Sequence, residues 1–363
     1  MIFIILQFLV IISKINNVLL ATNSLCSFFS TGTSEVFYTL YTKNTNRKIS
    51  IDDNSLDNAN FAKSDYVIIY IHGFGGSYDD IGSLAIRNGY INGTDDHNLI
   101  LVDYSEVTGK IAKLNVISLA IRYAKSVYCD LPKVSKKIVD FIVKFLYNHL
   151  NIKHVHVIGV SLGAHIAGKI GSLYKKTTGN YLDRVTALDP AGPWFKNGPQ
   201  INPECAKVVD VIHSNIGYYG YSKPIGTVDI YMNNGVTQPS CISNLTEVKR
   251  FTEQSKINVK FCSHGSSVLY YVASIDNKLT AKPCDEIGKL VSNDKNIFEM
   301  DDDNNNAISK TCSSLKYSNE REIVIGKHMS PSTVGVYYAE VPDLHRYVGK
   351  LFNELTFARR NKY

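Results

Sequence analysis

No run of about 20 consecutive apolar residues, the length a membrane-crossing helix needs, occurs in this chain. The opening stretch MIFIILQFLVIIS breaks at Lys14, and a second short apolar run ends at Ala21. Residues 1–21 therefore read as a signal peptide, although its n-region carries only the amino-terminal charge. The expectation is a secreted, extracellular protein whose residues 22–363 form one domain, because no internal repeat and no Pro-rich linker divide them. Basic residues are not clustered, and the net charge is only +6, which argues against a nucleic-acid partner. Such a mild positive charge would still favour an anionic lipid surface. With 44% apolar and 20% charged residues the chain can bury a large core, so global disorder is excluded.

Also missing is any CxxC pair, which removes the usual zinc and thioredoxin-like readings of cysteine. Seven cysteines are present, and in a secreted chain their ordinary role is disulfide bonding. Cys241–Cys262 and Cys284–Cys312 are expected, since each pair brackets one contiguous loop. Cys26, Cys129 and Cys205 then compete for one bridge, with Cys26–Cys129 preferred, and an odd thiol remains. The Asp/Asn run Asp301–Asn306 lacks the sixth-position glycine and twelfth-position glutamate of a calcium loop and reads as solvated surface, so no metal is expected there. Asn92-Gly93-Thr94 and Asn244-Leu245-Thr246 make Asn92 and Asn244 glycosylation acceptors if the chain enters a secretory pathway.

What is present is alternation. Val67–Ile71, Leu99–Val102, His154–Ile158 and Arg184–Leu188 are short apolar runs that read as buried strands. Between them, Val134–Leu150 and Leu162–Tyr174 carry apolar residues at helical spacing. Strands alternating with helices predict an α/β protein with a central, mostly parallel sheet and helices on both faces.

The chemistry concentrates at Gly159-Val160-Ser161-Leu162-Gly163, directly after one strand and directly before a helix. A serine on a sharp strand-to-helix turn projects its hydroxyl, and the flanking glycines relieve crowding. A serine hydroxyl is a poor nucleophile without a base, so an acid and a histidine should follow in the order Ser, Asp or Glu, His. Asp189 stands just past Val185–Leu188 and before Pro190, at a strand's carboxyl edge; Asp183, Asp210 and Asp229 are less well placed. His264, in Cys262-Ser263-His264-Gly265, is expected on a loop held by a disulfide, with His213, His328 and His345 as competitors. His72-Gly73-Phe74-Gly75-Gly76 suits an oxyanion loop, with the backbone N–H groups of Phe74 and Leu162 as donors.

These motifs together resemble the animal pancreatic-type lipase family: IHGFGG at 71–76, HVIGVSLGAHIAG at 156–168, ALDPAGPWF at 187–195, VVDVIHSN at 208–215 and CSHGS at 262–266. VIGKHMSPSTVGVYYAE looks like that family's closing strand segment. The resemblance implies an α/β-hydrolase fold, ester hydrolysis at lipid interfaces, and Ser161, Asp189 and His264 as a catalytic triad. It departs at Val160, where many members have His, and at Ser266, where Arg is common. Asn202 and Cys205 stand where calcium-binding members carry carboxylates, so no calcium, and no other cofactor, is expected. No colipase-like partner is expected either, since no β-sandwich domain is expected to follow.

The segment 241–262 resembles a lid, with Ile242, Leu245, Val248, Phe251, Ile257 and Val259 interleaved with charges. A lid of this length looks like the triacylglycerol lipases, whereas the loop Gly220–Gly226 looks like the short loop of phospholipases A1. An acylglycerol lipase is the first expectation and an sn-1 phospholipase the alternative. A non-catalytic, yolk-type relative is disfavoured because all three triad residues stand. The sequence gives no reading of the oligomeric state.

Overall fold

The computed structural model describes Cys26 and residues 35–43, 45–49, 61–93, 95, 97–109, 111, 114–147, 152–195, 198, 200–243, 259–292, 307–314, 322–344 and 346. The expected leader, Asn244, His345, the Asp301–Asn306 run and residues 244–258 of the expected lid lie outside these.

Among the described residues eleven strands form one sheet: β1 (Phe37–Thr42), β2 (Thr45–Ile49), β3 (Tyr66–Ile71), β4 (Asn98–Asp103), β5 (His154–Val160), β6 (Leu182–Leu188), β7 (Ala206–His213), β8 (Val228–Met232), β9 (Thr280–Pro283), β10 (Ile323–Val324) and β11 (Gly335–Ala339). The order is β10-β9-β11-β8-β7-β6-β5-β3-β4-β1-β2. Seven central strands, from β11 to β4, run parallel, and an antiparallel pair flanks them at each edge. The expected mostly parallel sheet with helices on both faces is what the chain builds.

Five helices matter for the site: α1 (Ile81–Asn92), α2 (Val116–Lys125), α3 (Leu131–Phe141), α4 (Leu162–Thr178) and α5 (Val259–Asp276). Side chains of a strand alternate between faces, so each central strand feeds two cores. Val67, Ile69, Val155, Val157 and Val185 pack with Val134 and Ile138 of α3 and Ile166 and Ile170 of α4. Ile68, Tyr70, Ile158, Leu188 and Ile212 pack on the other face with Ile86 of α1 and Val268, Tyr271 and Val272 of α5. That two-sided burial is why these strands read as continuous apolar runs rather than alternating ones.

The helix expected over Val134–Leu150 begins earlier, at Leu131, with Pro132 in its first turn, where proline's missing N–H costs nothing. It gives way to π-helical turns over Ile142–Tyr147. Among the described residues no helix is long and apolar enough to cross a membrane. Disulfides join Cys26 to Cys129, Cys241 to Cys262 and Cys284 to Cys312, and Cys205 is a free, buried thiol.

Candidate active site

Ser161 stands between β5 and α4 with φ 57° and ψ −119°, a backbone conformation that a residue with a Cβ adopts at a cost. Two glycines make the turn possible. A Cβ on Gly159 would lie 2.1 Å from the Gly163 carbonyl oxygen, and one on Gly163 would lie 2.4 Å from those of Ile71 and His72. The turn is pinned to the next strand, because the N–H of Ser161 donates to Leu188 O at 3.0 Å and that of Ala191 donates to Ser161 O at 3.2 Å.

Asp189 follows β6, also at positive φ (41°), and its N–H donates to Ile212 O at 2.7 Å. The serine and the acid therefore leave the sheet from adjacent parallel strands on the same edge. The Asp189 carboxylate is fully buried. One oxygen, Oδ1, accepts the N–H groups of Ser214 (2.8 Å) and Asn215 (3.1 Å). The other, Oδ2, accepts Nδ1–H of His264 at 2.5 Å. With Nδ1 so committed, Nε2 is the nitrogen left for proton transfer.

The expectation that His264 sits on a loop is corrected: it lies in the second turn of α5. The neighbouring disulfide cysteine is what suggests a tethered loop from sequence. The helix is buried nearly all round from Ser263 to Ile275, and packing of Val268, Tyr271 and Val272 in the core holds it helical. Cys262, on the same helix, bonds to Cys241 and ties its start to the short helix Pro239–Ser243 that follows β8. The ring of Tyr219, 39% exposed, lies 5.6 Å from that of His264.

The 72–76 loop reaches the serine from β3. A Cβ on Gly73 would lie 3.2 Å from the Ser161 Cβ, so the loop backbone abuts the serine side chain. His72 is buried; its Nδ1–H donates to Gly73 O at 2.8 Å, while the Tyr104 hydroxyl donates to His72 O at 2.7 Å. Leu162, as the first residue of α4, has no intrahelical acceptor for its N–H, and the helix end adds a positive field there. The ring of Phe74 meets Tyr123 edge-on at 5.1 Å, and Tyr123 in turn lies 5.2 Å from Trp194, giving an aromatic wall that starts at the residue after Gly73.

The competing carboxylates are committed elsewhere. Asp183 accepts from Val155 N and Lys207 Nζ, Asp210 takes both arms of Arg184, and Asp229 pairs with His213. His328 bonds the carbonyl of Ile275. Ser214, Asn215 and Gly220 were missed by sequence reasoning. The HSN tripeptide at the end of β7, the strand beside the acid's, is the signal that points to the first two. Asn202 caps the turn Pro203–Cys205 through Glu204 N, and among the described residues no group of three or more His, Cys, Asp or Glu side chains is placed to hold a metal.

Comparison with known proteins adds the following. Lipase member H of Rattus norvegicus is 38% identical over 170 residues, covering 44% of this chain and 35% of that protein. Lipase member H of Oryctolagus cuniculus is 32% identical over 200 residues, covering 53% and 38%. Phospholipase A1 member A of Rattus norvegicus is 28% identical over 243 residues, covering 64% and 47%. The matched regions thus span less than half the length of these curated relatives. The sequence profile of one family, described as Lipase, matches residues 22–321, from ahead of β1 to beyond β9, with the serine turn, Asp189 and His264 all inside the matched span. On that breadth, the chain belongs to the Lipase family.

Proposed function

We propose that this chain is a secreted serine esterase that hydrolyses the carboxylic ester bonds of acylglycerols through an acyl-enzyme on Ser161. The observation that carries the reading is the buried Asp189–His264 contact of 2.5 Å at the sheet edge from which Ser161 also projects. His264 Nε2 takes the Ser161 hydroxyl proton as Oγ adds to the ester carbonyl. The backbone N–H groups of Phe74 and Leu162 receive the oxyanion. Collapse of the tetrahedral intermediate expels the alcohol, which leaves with the proton from His264. Water, deprotonated by the same nitrogen, then releases the fatty acid and restores Ser161. No metal or cofactor has a role in this sequence of steps.

The apolar substrate class is supported by the aromatic wall of Phe74, Tyr123 and Trp194, and by relatives named for lipase and phospholipase activity. Secretion is supported by three disulfides, which persist in oxidising compartments. The site acts at a membrane or droplet interface, with the 241–262 segment as its lid and without colipase. A phospholipase A1 cleaving sn-1 chains is the second reading, favoured by the similarity to Phospholipase A1 member A and by the compact 220–226 loop.

The test is a hydrolysis panel of triacylglycerol, phosphatidylcholine, phosphatidylserine and a short soluble ester. The expected result is fatty-acid release from triacylglycerol ahead of both phospholipids, lost by roughly three orders of magnitude or more in Ser161→Ala with unchanged melting. Faster lysophospholipid release would favour the second reading. A folded Ser161→Ala retaining more than a few per cent of the activity would exclude the serine mechanism.

A further inference from the structure

Next to the Asp189–His264 pair the fold contains a second buried His–Asp pair that the proposed reaction does not use. His213 closes β7 and Asp229 lies in β8; both side chains are buried. His213 Nε2 is 2.8 Å from Asp229 Oδ1, and its Nδ1 is 3.1 Å from the carbonyl oxygen of Tyr221. A carbonyl oxygen can only accept. Asp229 receives backbone N–H groups on both oxygens, from Ile225 at 3.0 Å and Gly226 at 2.9 Å, the pattern of an ionised, acceptor-only carboxylate. Both ring nitrogens of His213 therefore face acceptors, and only the doubly protonated ring donates from both.

Tyr231 of β8 completes the arrangement. Its ring stacks on His213 with centroids 4.2 Å apart, and its hydroxyl donates to Ser222 O at 2.7 Å. Three side chains from two neighbouring strands thus hold the far half of the 214–227 loop at four backbone points: Tyr221 O, Ser222 O, Ile225 N and Gly226 N. The near half of the same loop bears on the proposed triad. Ser214 and Asn215 supply the N–H groups on Asp189 Oδ1, and a Cβ on Gly220 would lie 2.5 Å from that oxygen. Tyr221 N donates to Pro190 O at 2.7 Å, and Gly192 N donates to Tyr219 O at 2.7 Å.

We propose that His213 and Asp229 are positioning residues: a buried imidazolium–carboxylate clamp, seconded by Tyr231, that presses the 214–227 loop against Asp189 and His264. The inference rests on the triad reading above, because the loop matters to the reaction only if those two residues carry it. A buried charge pair in a low-dielectric interior resists deformation more than neutral hydrogen bonds do, and a reacting group displaced by about 1 Å can lose about 100-fold in rate. The clamp touches neither Ser161 nor the proposed oxyanion donors, so its effect falls on proton transfer rather than on binding.

Asp229→Asn keeps the shape while removing the charge, and Tyr231→Phe removes only the hydroxyl. Both are compared with the wild type on a short soluble ester at temperatures well below melting. In folded Asp229→Asn we expect kcat lower by about 10- to 100-fold with KM within about 2-fold, and in Tyr231→Phe a change of about 3-fold in the same direction. Amide exchange at Ser214 and Asn215 should accelerate in both variants, and nitrogen-15 NMR of the unmodified clamp should find a proton on each ring nitrogen of His213, as its two acceptors require. The exchange and ring measurements are repeated on a Ser161→Ala background, where they need no turnover. An inert wild type with these signatures intact would therefore refute the esterase reading and not the clamp's geometry. Wild-type kcat and unchanged exchange in folded Asp229→Asn, or a singly protonated His213 ring, would overturn the proposal. Should Asp229→Asn fail to fold, Tyr231→Phe decides by the same readings.

Discussion

The two halves of the site are built by different means. The serine half, comprising the 159–163 turn and the 72–76 loop, is fixed by backbone touching backbone, with Gly159, Gly163 and Gly73 leaving room for neighbouring chain. The acid–histidine half has close approaches too, Gly220 against the Asp189 carboxylate and Gly192 against the Gly220 carbonyl, but is otherwise fixed by hydrogen bonds gathered from β7, β8, the loop between them and α5. Ser214 sits at its centre: its N–H holds Asp189, its hydroxyl donates to Ser263 O at 2.8 Å, and its carbonyl accepts Gln238 Nε2 at 2.8 Å. Steric construction should fail abruptly, whereas a hydrogen-bonded one should fail by degrees.

The largest expected effect breaks the steric half. In Gly163→Ala the new methyl meets two carbonyl oxygens at 2.4 Å, and neither can move without shifting β3 or its loop. We expect a loss of about 3 kcal/mol or more in stability, together with a fall in ester hydrolysis of about 100-fold or more. Denaturant unfolding and kcat/KM measure the two; near-wild-type values for both would show that the turn relaxes freely. Ser214→Ala sharpens the other half. It deletes one buried hydroxyl but keeps the N–H on Asp189, so a stability loss of about 1–2 kcal/mol and a roughly 10-fold fall in kcat are expected. A drop as steep as that of Gly163→Ala would erase the distinction.

The effect that is smallest at neutral pH, and grows only in acid, concerns His165, four residues past the serine. Its Nε2–H donates to Ala191 O at 2.7 Å, its ring stacks on Phe195, and burial pushes it down to about 3. Burial likewise holds His156 well below the usual imidazole range. Between about pH 6.5 and 3 the unfolded chain binds protons at these positions that the folded chain refuses, so stability falls as pH falls through that window. Each group contributes at most ~1.4 kcal/mol per pH unit. His165→Gln should flatten the decline in urea midpoint between pH 6.5 and 4 relative to wild type, and an unchanged slope would count against a neutral, buried His165.

The same division governs what could be read from the sequence. The central strands were legible because burial on both faces leaves uninterrupted apolar runs such as VIIYI. The serine turn was legible because its steric requirements fall within five consecutive residues. The meeting of Asp189 with His264 could be anticipated from the acid's place at a strand end and from chain order. The helical setting of His264 was not legible, since the neighbouring disulfide cysteine suggests a tethered loop and only packing of Val268, Tyr271 and Val272 against the sheet decides otherwise. Nor were the edge strands β1 and β9, whose pairing is a matter of distant partners. The role of Ser214 depends on residues from 189 to 263 meeting in space, and no local pattern records that.

Ser161 and Asp189 both hold positive φ, at adjacent strand ends. Such conformations cost about 1–3 kcal/mol each, against a total stability of typically 5–15 kcal/mol for a folded domain. Selection for stability alone would replace them, with glycine at the first position and glycine or asparagine at the second. A lineage that kept this fold for storage or transport would be free to drift that way within few substitutions. Serine and aspartate at two costly backbone positions just past neighbouring strand ends are what the proposed ester chemistry requires and what stability alone does not, a demand written in torsion angles rather than in contacts.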